Sequence, residues 1–284
     1  MITPIKYNDF LHVTYSHSDY TDILQIHADY ISHKKNKTLI IDTDDIPHSI
    51  KDVYDRIIYY DDTLPYASRI LNSVKQIDDE RFLLMHDTDI LLRVDSDKME
   101  QLLHLCTKHG MDRLDLQVGL DPSLFIDRLV NGVFYTAESI KKKTAYVTVD
   151  DECKLIKQVY FRNHPLMGSS YLYNVNPSIW NKQSLLRIME QFSHLDYRSI
   201  ERDVVQKFCD DLSIYKIGID NFISCGHFDC ADFFTFFHIT CQGKLVPFDN
   251  DHRDKYGCSY ESVAPQYQQI INKYKLFNSE RRSS

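Results

Sequence analysis

Short apolar runs alternate with amphipathic stretches along the first third of the chain. The apolar runs predict four strands, and the stretches with apolar positions at helical spacing predict two helices. The predicted strands are Leu11–Tyr15, Thr38–Asp42, Arg56–Tyr60 and Arg81–Met85, and the predicted helices are Thr21–His33 and Pro65–Ile77. Alternation of this kind predicts an α/β sheet with parallel strands flanked by helices, and ligands bind beyond the carboxyl ends of such strands.

The second half of the chain has a less regular pattern. Two helices are predicted there, with Asn176 and Asn181 as capping residues, and one hairpin that turns at Gln242-Gly243. The helices are Ser184–Phe192 and Tyr197–Leu212, and the hairpin strands are Phe233–Thr240 and Lys244–Phe248. Because no Pro/Gly/Ser-rich linker interrupts the pattern, we expect a single domain over residues 1–278, in halves that meet near residue 120, and a flexible tail at 279–284.

Composition narrows the function classes. The 284 residues are 43% hydrophobic and 26% charged, which is typical of a globular protein, and the net charge is −8. An acidic chain whose basic runs are confined to His33–Lys37 and Lys141–Lys143 is a poor match for nucleic acid, which needs clustered cations. Seven cysteines without an apolar leader, and no apolar stretch of about eighteen residues, predict a cytoplasmic protein with free thiols and no membrane span.

Two carboxylates stand where the fourth predicted strand ends. Asp87 and Asp89 follow the apolar run Phe82–Met85 and precede a second apolar patch, Ile90–Leu92. At this spacing two carboxylates can converge on one ion, and oxygen ligands suit Mg²⁺ or Mn²⁺. Buried acids also need a cation or hydrogen-bond donors to offset the cost of their burial. We therefore predict a metal site at Asp87 and Asp89.

The segments Pro65–Ile77 and Arg81–Asp89 resemble the helix, strand and D-x-D motif of GT-A-fold glycosyltransferases. The likeness is greatest to small bacterial capsule enzymes and to those of large algal DNA viruses. The resemblance implies a GT-A-like (Rossmann-like) fold with a mixed, mostly parallel sheet. It places Asp87 near the donor sugar and ribose and Asp89 on Mn²⁺ or Mg²⁺ bound to the diphosphate. It also suggests a donor contact for Arg69 on the preceding predicted helix.

A second stretch is similar to the acceptor side of the same enzymes. An aromatic segment that includes Trp180 leads into a helix and then into the Glu201-Arg202-Asp203 cluster. The resemblance implies that Glu201, with Asp203 in reserve, is the general base of an inverting transfer. Near the C-terminus, it suggests Lys244 as a phosphate contact and His252 as a further metal ligand.

The function implied by the resemblance is transfer of a sugar from a nucleotide-sugar, with UDP expected, to a glycan acceptor. GDP or dTDP stays open as the nucleotide, and a retaining transfer stays open beside the inverting one. The first half would bind the nucleotide and the second half the acceptor. The site of action would be the cytoplasm, or the host cytoplasm for a viral protein. No serine-hydrolase, Walker A or dinucleotide-binding motif occurs.

Three other interpretations stay open at this point. Asp42–Asp45 together with Asp87 and Asp89 could form a two-metal phosphohydrolase site. A non-catalytic nucleotide-sugar-binding module would keep the fold without turnover. A zinc site is the third, although its spacing matches no standard finger, and its candidate ligands are Cys225, His227, Cys230, His238 and Cys241.

Overall fold

The computed structural model describes residues 6–120, 128–130, 133–135, 146–149, 153–157, 173–201, 212–219, 230–231, 233–241, 244–245 and 258–276. Within these ranges the helices are α1 (Thr21–Ile31), α2 (His48–Lys51), α3 (Tyr66–Lys75), α4 (Ser96–Lys108), α5 (Lys182–Gln191), α6 (Tyr197–Glu201) and α7 (Cys258–Tyr274). The first six strands are β1 (His12–Tyr15), β2 (Lys37–Ile41), β3 (Arg56–Tyr59), β4 (Arg81–His86), β5 (Asp89–Val94) and β6 (Arg113–Leu120).

The remaining strands are shorter and are spread over the second half. They are β7 (Arg128–Val130), β8 (Val133–Tyr135), β9 (Tyr146–Thr148), β10 (Cys153–Lys157), β11 (Ser178–Asn181), β12 (Ile214–Ile219), β13 (Cys230–Ala231), β14 (Phe234–His238), β15 (Thr240–Cys241) and β16 (Lys244–Leu245). The antiparallel pair β15–β16 agrees with the predicted hairpin only at Thr240–Cys241 and Lys244–Leu245. Most of the predicted first strand, Phe234–His238, pairs with β5 and β13 instead, and Gln242-Gly243 lies outside the described residues. Among the described residues, no helix is long and apolar enough to cross a membrane.

A nine-stranded sheet with the order β3-β2-β1-β4-β11-β6-β12-β10-β9 forms the centre of the molecule. Its strands all run in one direction except β11 and β10, which are antiparallel to their neighbours. The predicted α/β class with a mixed, mostly parallel sheet is therefore confirmed. A smaller sheet, β13-β14-β5, begins directly after β4, so the apolar patch Ile90–Leu92 is a strand of this second sheet.

Helices cover both faces of the large sheet. On one face, α1 and α4 bury Leu24, Ala28, Met99 and Leu102 against the sheet, and on the other α3 and α5 pack together. Because β4 is covered on both faces, its burial is nearly complete along its length, which explains its continuous apolar sequence. The arrangement is Rossmann-like.

Local signals fix several helix ends. Asn181 caps α5 as predicted, since its side chain accepts a hydrogen bond from the Ser184 amide. The other predicted cap, Asn176, is wrong: it precedes strand β11, and its amide nitrogen bonds Gln117 instead. Gly110, with φ of 57°, ends α4 in the left-handed conformation that glycine tolerates. The predicted helix Tyr197–Leu212 is described only as far as Glu201.

Candidate functional site

The order of the strands locates the candidate site. From β1 the chain winds outward through β2 to β3 and then returns to place β4 on the other side of β1. In open α/β sheets, ligands bind beyond the carboxyl ends of the strands at such a switch point. The residues that follow the strand ends there are Ser16 and His17 after β1, Asp42 after β2, Tyr60 after β3 and Asp87 after β4.

Asp87 lies at the centre of this edge and is buried. Its Oδ2 accepts a hydrogen bond of 2.5 Å from the Ser16 hydroxyl, and its backbone amide donates to the Tyr15 carbonyl. Burial raises the pKa of Asp87 from 3.8 to about 8, although the bonds from Ser16 and the Thr88 amide oppose that rise. The strongest influences on its pKa include two acids, Asp89 and Asp22, and no cation. A cation bound beside Asp87 would therefore relieve an unfavourable environment.

Asp89 points to a different set of partners. It opens β5 with no exposed surface, and its Oδ1 lies 2.5 Å from Nδ1 of His238 on the neighbouring strand β14. Burial raises the pKa of Asp89, and the charge of His238 opposes that rise. The Asp89 carbonyl accepts a hydrogen bond from His27, whose other ring nitrogen contacts the Thr14 hydroxyl at 3.1 Å. The turn between β4 and β5 is therefore held by Ser16 at Asp87 and by His27 and His238 at Asp89.

The predicted metal ligands are only partly described. Among the described residues, no group of three or more His, Cys, Asp and Glu side chains is arranged to hold a metal ion by itself. Asp87 and Asp89 lie at the two ends of one tight turn, and each carboxylate is turned to its own partner, Asp87 to Ser16 and Asp89 to His238. Carboxylate oxygens are the ligands that Mn²⁺ and Mg²⁺ prefer. The third predicted ligand, His252, lies outside the described residues.

A cavity of about 280 Å³ opens beside this edge. Its lining is mainly aromatic, and it spans the carboxyl ends of β1 and β3 and the first turns of α3 and α6. The lining residues are Tyr15, His17, Tyr20, Tyr60, Pro65, Tyr66, Arg69, Asp196, Tyr197 and Arg198. Tyr15 and Tyr60 stack with ring centroids 5.3 Å apart and planes 9° from parallel. Flat aromatic surfaces of this kind suit a planar ring such as a nucleobase.

Arg69 lines this cavity, yet its guanidinium is already engaged. It donates to the carbonyls of Leu64 and Asp62 at 2.6 and 2.7 Å and pairs with the Asp62 carboxylate at 2.6 Å. These bonds fix the loop between β3 and α3. The predicted donor contact of Arg69 stays a prediction, and loop fixation is the role that its bonds indicate.

His17 lies among acids at the rim of the cavity. Its Nε2 is 3.5 Å from Asp42 and 3.4 Å from Asp62, while Nδ1 accepts from the Asp19 amide. Asp42 is held by the amide and hydroxyl of Ser18, both at 2.7 Å. Asp42 therefore serves this rim, and in the described part of the chain it joins no three-ligand metal cluster with Asp87 and Asp89. The phosphohydrolase interpretation stays a prediction.

A chain of hydrogen bonds connects the turn to the second half of the molecule. The Tyr66 hydroxyl contacts His86 Nε2 at 3.1 Å and the Tyr173 hydroxyl at 2.7 Å. Burial lowers the pKa of His86 to about 3, so its ring is neutral at neutral pH. Glu201, the last residue of α6, accepts a hydrogen bond from the Val175 amide at 3.0 Å, two residues beyond Tyr173. This segment brings the predicted base towards the same edge of the sheet.

The other predicted residues are distributed as follows. Lys244 is exposed on β16, and Asp203 lies outside the described residues. Trp180 is 1% exposed and packs against Arg113 and Tyr173, so it anchors the core. Of the five zinc candidates, Cys225 and His227 lie outside the described residues, and His238 pairs with Asp89.

Sequence reasoning missed Ser16, His17 and His238 as members of this edge. For Ser16 and His17 a usable signal exists, because polar residues directly after the first strand of a Rossmann-like sheet fall at the switch point. His238 has no such signal, since its place depends on the pairing of β14 with β5, far apart along the chain.

No protein-family model and no curated protein sequence matches the chain. Solved structures with similar folds include CMP:2-keto-3-deoxy-manno-octonic acid synthetase complexed with CTP, at 9% identity and TM-score 0.46, covering 93% of this chain and 100% of that one. A cytidylyltransferase from Leptospira borgpetersenii matches at 9% identity and TM-score 0.42, covering 94% and 95%. A UTP-bound UGPase from Acinetobacter baumannii matches at 5% identity and TM-score 0.43, covering 74% and 86%. Likeness at this level concerns the overall arrangement of elements and carries no conclusion about activity.

Proposed function

We propose that the chain is a metal-dependent glycosyltransferase that moves a sugar from a nucleotide-sugar, with UDP as the expected nucleotide, to a hydroxyl of a glycan acceptor. The observation that carries the proposal is the position of the Asp87–Asp89 turn. It lies at the switch point of the sheet, where burial raises the pKa of Asp87, next to a cavity walled by aromatic rings.

The cavity between Tyr15, Tyr60 and Tyr66 is the expected place for the nucleoside. A base can lie along the tyrosine rings, and His17 and Asp62 at the rim offer polar partners for its edges or for ribose hydroxyls. The diphosphate would then extend towards Asp87. A nucleoside in this position explains why so many tyrosines converge on one strand edge.

Mn²⁺ or Mg²⁺ would be held by Asp87 and Asp89, with His238 in reach, and when bound it supplies positive charge for the departing diphosphate. The protein keeps these ligands in position through Ser16, the His86 amide and His27. Glu201 would take the proton of the acceptor hydroxyl as that oxygen attacks the anomeric carbon from the opposite face, which gives inversion.

The loop after β1 favours a nucleotide-sugar over a nucleoside triphosphate as the donor. No Lys or Arg occurs between His12 and His33, and the loop and first turn of α1 carry Asp19 and Asp22. A triphosphate with its larger negative charge would need cations or open amide groups there. The acidic loop is better matched to a donor whose charge is confined to a diphosphate beside a metal.

Calorimetric titration of UDP and GDP, with Mn²⁺ present or chelated, tests the proposal. We expect metal-dependent binding of UDP to the wild type that falls at least tenfold in Asp89→Ala. Asp78→Asn removes the same charge from a side chain that is 97% exposed and should bind as the wild type does. Binding that is indifferent to both metal and Asp89, or no binding of either nucleotide, would contradict the metal-site assignment.

Measurements of the transfer rate test the second part of the proposal, the role of Glu201 as general base. Once a donor is found, Glu201→Gln should lower the transfer rate by roughly 10²- to 10⁴-fold while UDP affinity stays unchanged, as expected for loss of a general base. An unchanged rate of sugar transfer in this variant would show that Glu201 is not the general base. Binding without transfer or hydrolysis of any donor would favour the binding-module interpretation.

A further inference from the structure

A second polar cluster is buried on the far side of β11 from the nucleoside cavity. Its members are Lys216 on β12, Gln117 on β6 and Asn176 in the segment before β11. Lys216 is 8% exposed and Gln117 is 6% exposed, whereas Asn176 is half-buried and opens the cluster to the surface. Burying a lysine is costly, so a cation in this position calls for an explanation.

The hydrogen-bond partner of the Lys216 ammonium is a neutral amide. Arg113 lies 3.6 Å from Asp115, and the Asp115 carboxylate also accepts from the Asn174 amide and the Gln117 backbone. The Lys216 ammonium donates to Gln117 Oε1 at 3.0 Å, and among the described residues no carboxylate comes within 4.0 Å of it. Lys216 therefore has a neutral amide as its partner, whereas Asp115 is engaged by Arg113, Asn174 and Gln117.

The hydrogen-bonding groups that the cluster leaves available are mainly N–H donors. Gln117 Oε1 accepts from both Lys216 and Asn176, at 3.0 and 2.7 Å. Because an ammonium can only donate, this contact turns the amide nitrogen of Gln117 away from Lys216. Lys216 and Gln117 then keep N–H groups with no acceptor among the described residues. Amide and ammonium donors of this kind are suited to an anionic oxygen ligand.

The backbone is shaped to produce this arrangement. The parallel pairing of β12 with β6 shifts register between Lys216 and Ile217, which leaves Leu116 and Gln117 as extra residues on β6. Leu116 donates to the Pro177 carbonyl instead of to β12. Bulges of this type re-aim side chains and are frequent beside functional sites. Here the bulge presents Gln117 to Lys216.

We infer that Lys216, Gln117 and Asn176 form a subsite for an anionic group, a carboxylate or a phosphate, on the acceptor sugar. The inference rests on the proposed function, because the nucleoside cavity lies at β1 to β3 and leaves β6, β11 and β12 for the acceptor. Ser178 on β11 pairs with Leu84 of β4 on one side and with Asp115 of β6 on the other, so the cluster lies two strands away from the end of β4. An acceptor held by the cluster would therefore lie close to the metal turn.

The test uses methyl glucuronoside, its neutral match methyl glucoside, and inorganic phosphate as probes in calorimetric titrations of the full chain. We expect one of the two anions to bind at least tenfold more tightly than the glucoside. Preference for the glucuronoside identifies a carboxylate-bearing acceptor, and preference for phosphate a phosphorylated one. Equal binding of all three probes, or no binding of any, would overturn the inference.

Two variants test whether an anion preference comes from the cluster or from the general charge of the surface. Lys216→Gln should abolish the anion preference, and Gln117→Glu should do the same by supplying an internal carboxylate to Lys216. Lys75→Gln, which removes an exposed lysine from α3, should leave the preference unchanged. An anion preference that survives in both Lys216→Gln and Gln117→Glu would contradict the assignment.

UDP binding with Mn²⁺, measured on the same samples, distinguishes the two proposals. If the variants lose the anion preference and keep metal-dependent UDP binding, both the subsite and the nucleotide site stand. If the wild type shows the anion preference and binds neither UDP nor GDP, the anion site stands, whereas the glycosyltransferase proposal and the assignment of the anion to an acceptor sugar fall. If the wild type binds UDP without an anion preference, the nucleotide site stands and the subsite falls.

Discussion

The two halves of the large sheet keep their polar groups in different places. In the parallel half, β1 to β4, the functional side chains stand just beyond the strand ends, as Ser16, Asp42 and Asp87 do. In the other half, Arg113, Asp115 and Lys216 lie within the strands themselves and are buried there. The first half can therefore change ligands by changing loops, whereas the second half has its polar chemistry built into the core.

The largest effect should come from breaking the buried network of the second half. Arg113→Met removes a side chain with no exposed surface and leaves Asp115 buried without its cation. Loss of one partner of such a pair costs about 3–5 kcal/mol, and we expect the free energy of unfolding in urea to fall by that amount. Arg56→Met is the control, because Arg56 is 45% exposed and its pair with Asp78 should contribute less than about 1 kcal/mol. If both variants lost the same free energy of unfolding, the buried charges of the second half would contribute no more to stability than the exposed pair of the first half.

In contrast to Arg113→Met, Asp87→Asn should increase the free energy of unfolding of the metal-free protein. Below pH of about 4 the Asp87 carboxyl is protonated in the folded and unfolded chains alike, so it adds no pH dependence. Between pH 4 and 8 only the folded chain keeps the proton, because burial raises the folded-state pKa to about 8, and stability falls as pH rises through this window. The variant lacks this loss and should be more stable than the wild type by roughly 4 kcal/mol at pH 7.

The check on Asp87 is urea unfolding at pH 4 and pH 7 in the presence of a chelator. The two proteins should have similar stability at pH 4 and diverge at pH 7. Adding Mn²⁺ at pH 7 should stabilise the wild type and not Asp87→Asn. A wild type that is the more stable protein at pH 7 without metal would contradict the raised pKa.

Tyr66→Phe tests the connection between the halves. The substitution removes the hydroxyl that contacts His86 and Tyr173 and keeps the ring that packs against Tyr15 and Tyr197. We expect a loss of about 1–2 kcal/mol, since two buried polar groups lose a partner. Tyr59→Phe, at a ring that is 49% exposed, should change stability by less than about 0.5 kcal/mol.

The smallest effects concern helix caps, one in each half. Asp95 accepts from the Lys98 amide at the start of α4, and Asn181 accepts from the Ser184 amide at the start of α5. Replacing either residue by Ala should cost about 1 kcal/mol in thermal or urea unfolding. Similar losses would indicate that the halves differ in their buried charges and not in their local helix signals.

The contrast between the halves also sets what the sequence can predict. The four predicted strands and two predicted helices of the first part agree with the structure within a few residues, because each is an uninterrupted apolar or amphipathic run. The short helix α2, strand β5 and helix α4 are not predicted. Asp87 and Asp89 stand out in the sequence because they end such a run. The convergence of both carboxylates on one ion stays a prediction, since the structure turns Asp87 to Ser16 and Asp89 to His238.

In the second half, the partners of each residue come from distant segments. Ser178 on β11 hydrogen-bonds Arg113 on β6, and β11 enters the sheet between strands that precede it by many residues. Asn176 illustrates the difficulty: its residue type predicts a helix cap, and only the pairing of β11 shows that it belongs to a polar cluster. Periodicity contains no information about which strand will become the neighbour of which.

The position of β11 also constrains how the chain can acquire its structure. Until Ser178–Asn181 has been synthesised, β4 has no partner on one side, and the apolar sequence of its edge stays open to other chains. The order of synthesis therefore differs from the order of the sheet, and closure requires contacts between segments far apart in sequence, which slows folding. A fragment that ends after β6 would leave this edge unprotected, so aggregation of the nascent chain is a hazard that the complete sheet removes.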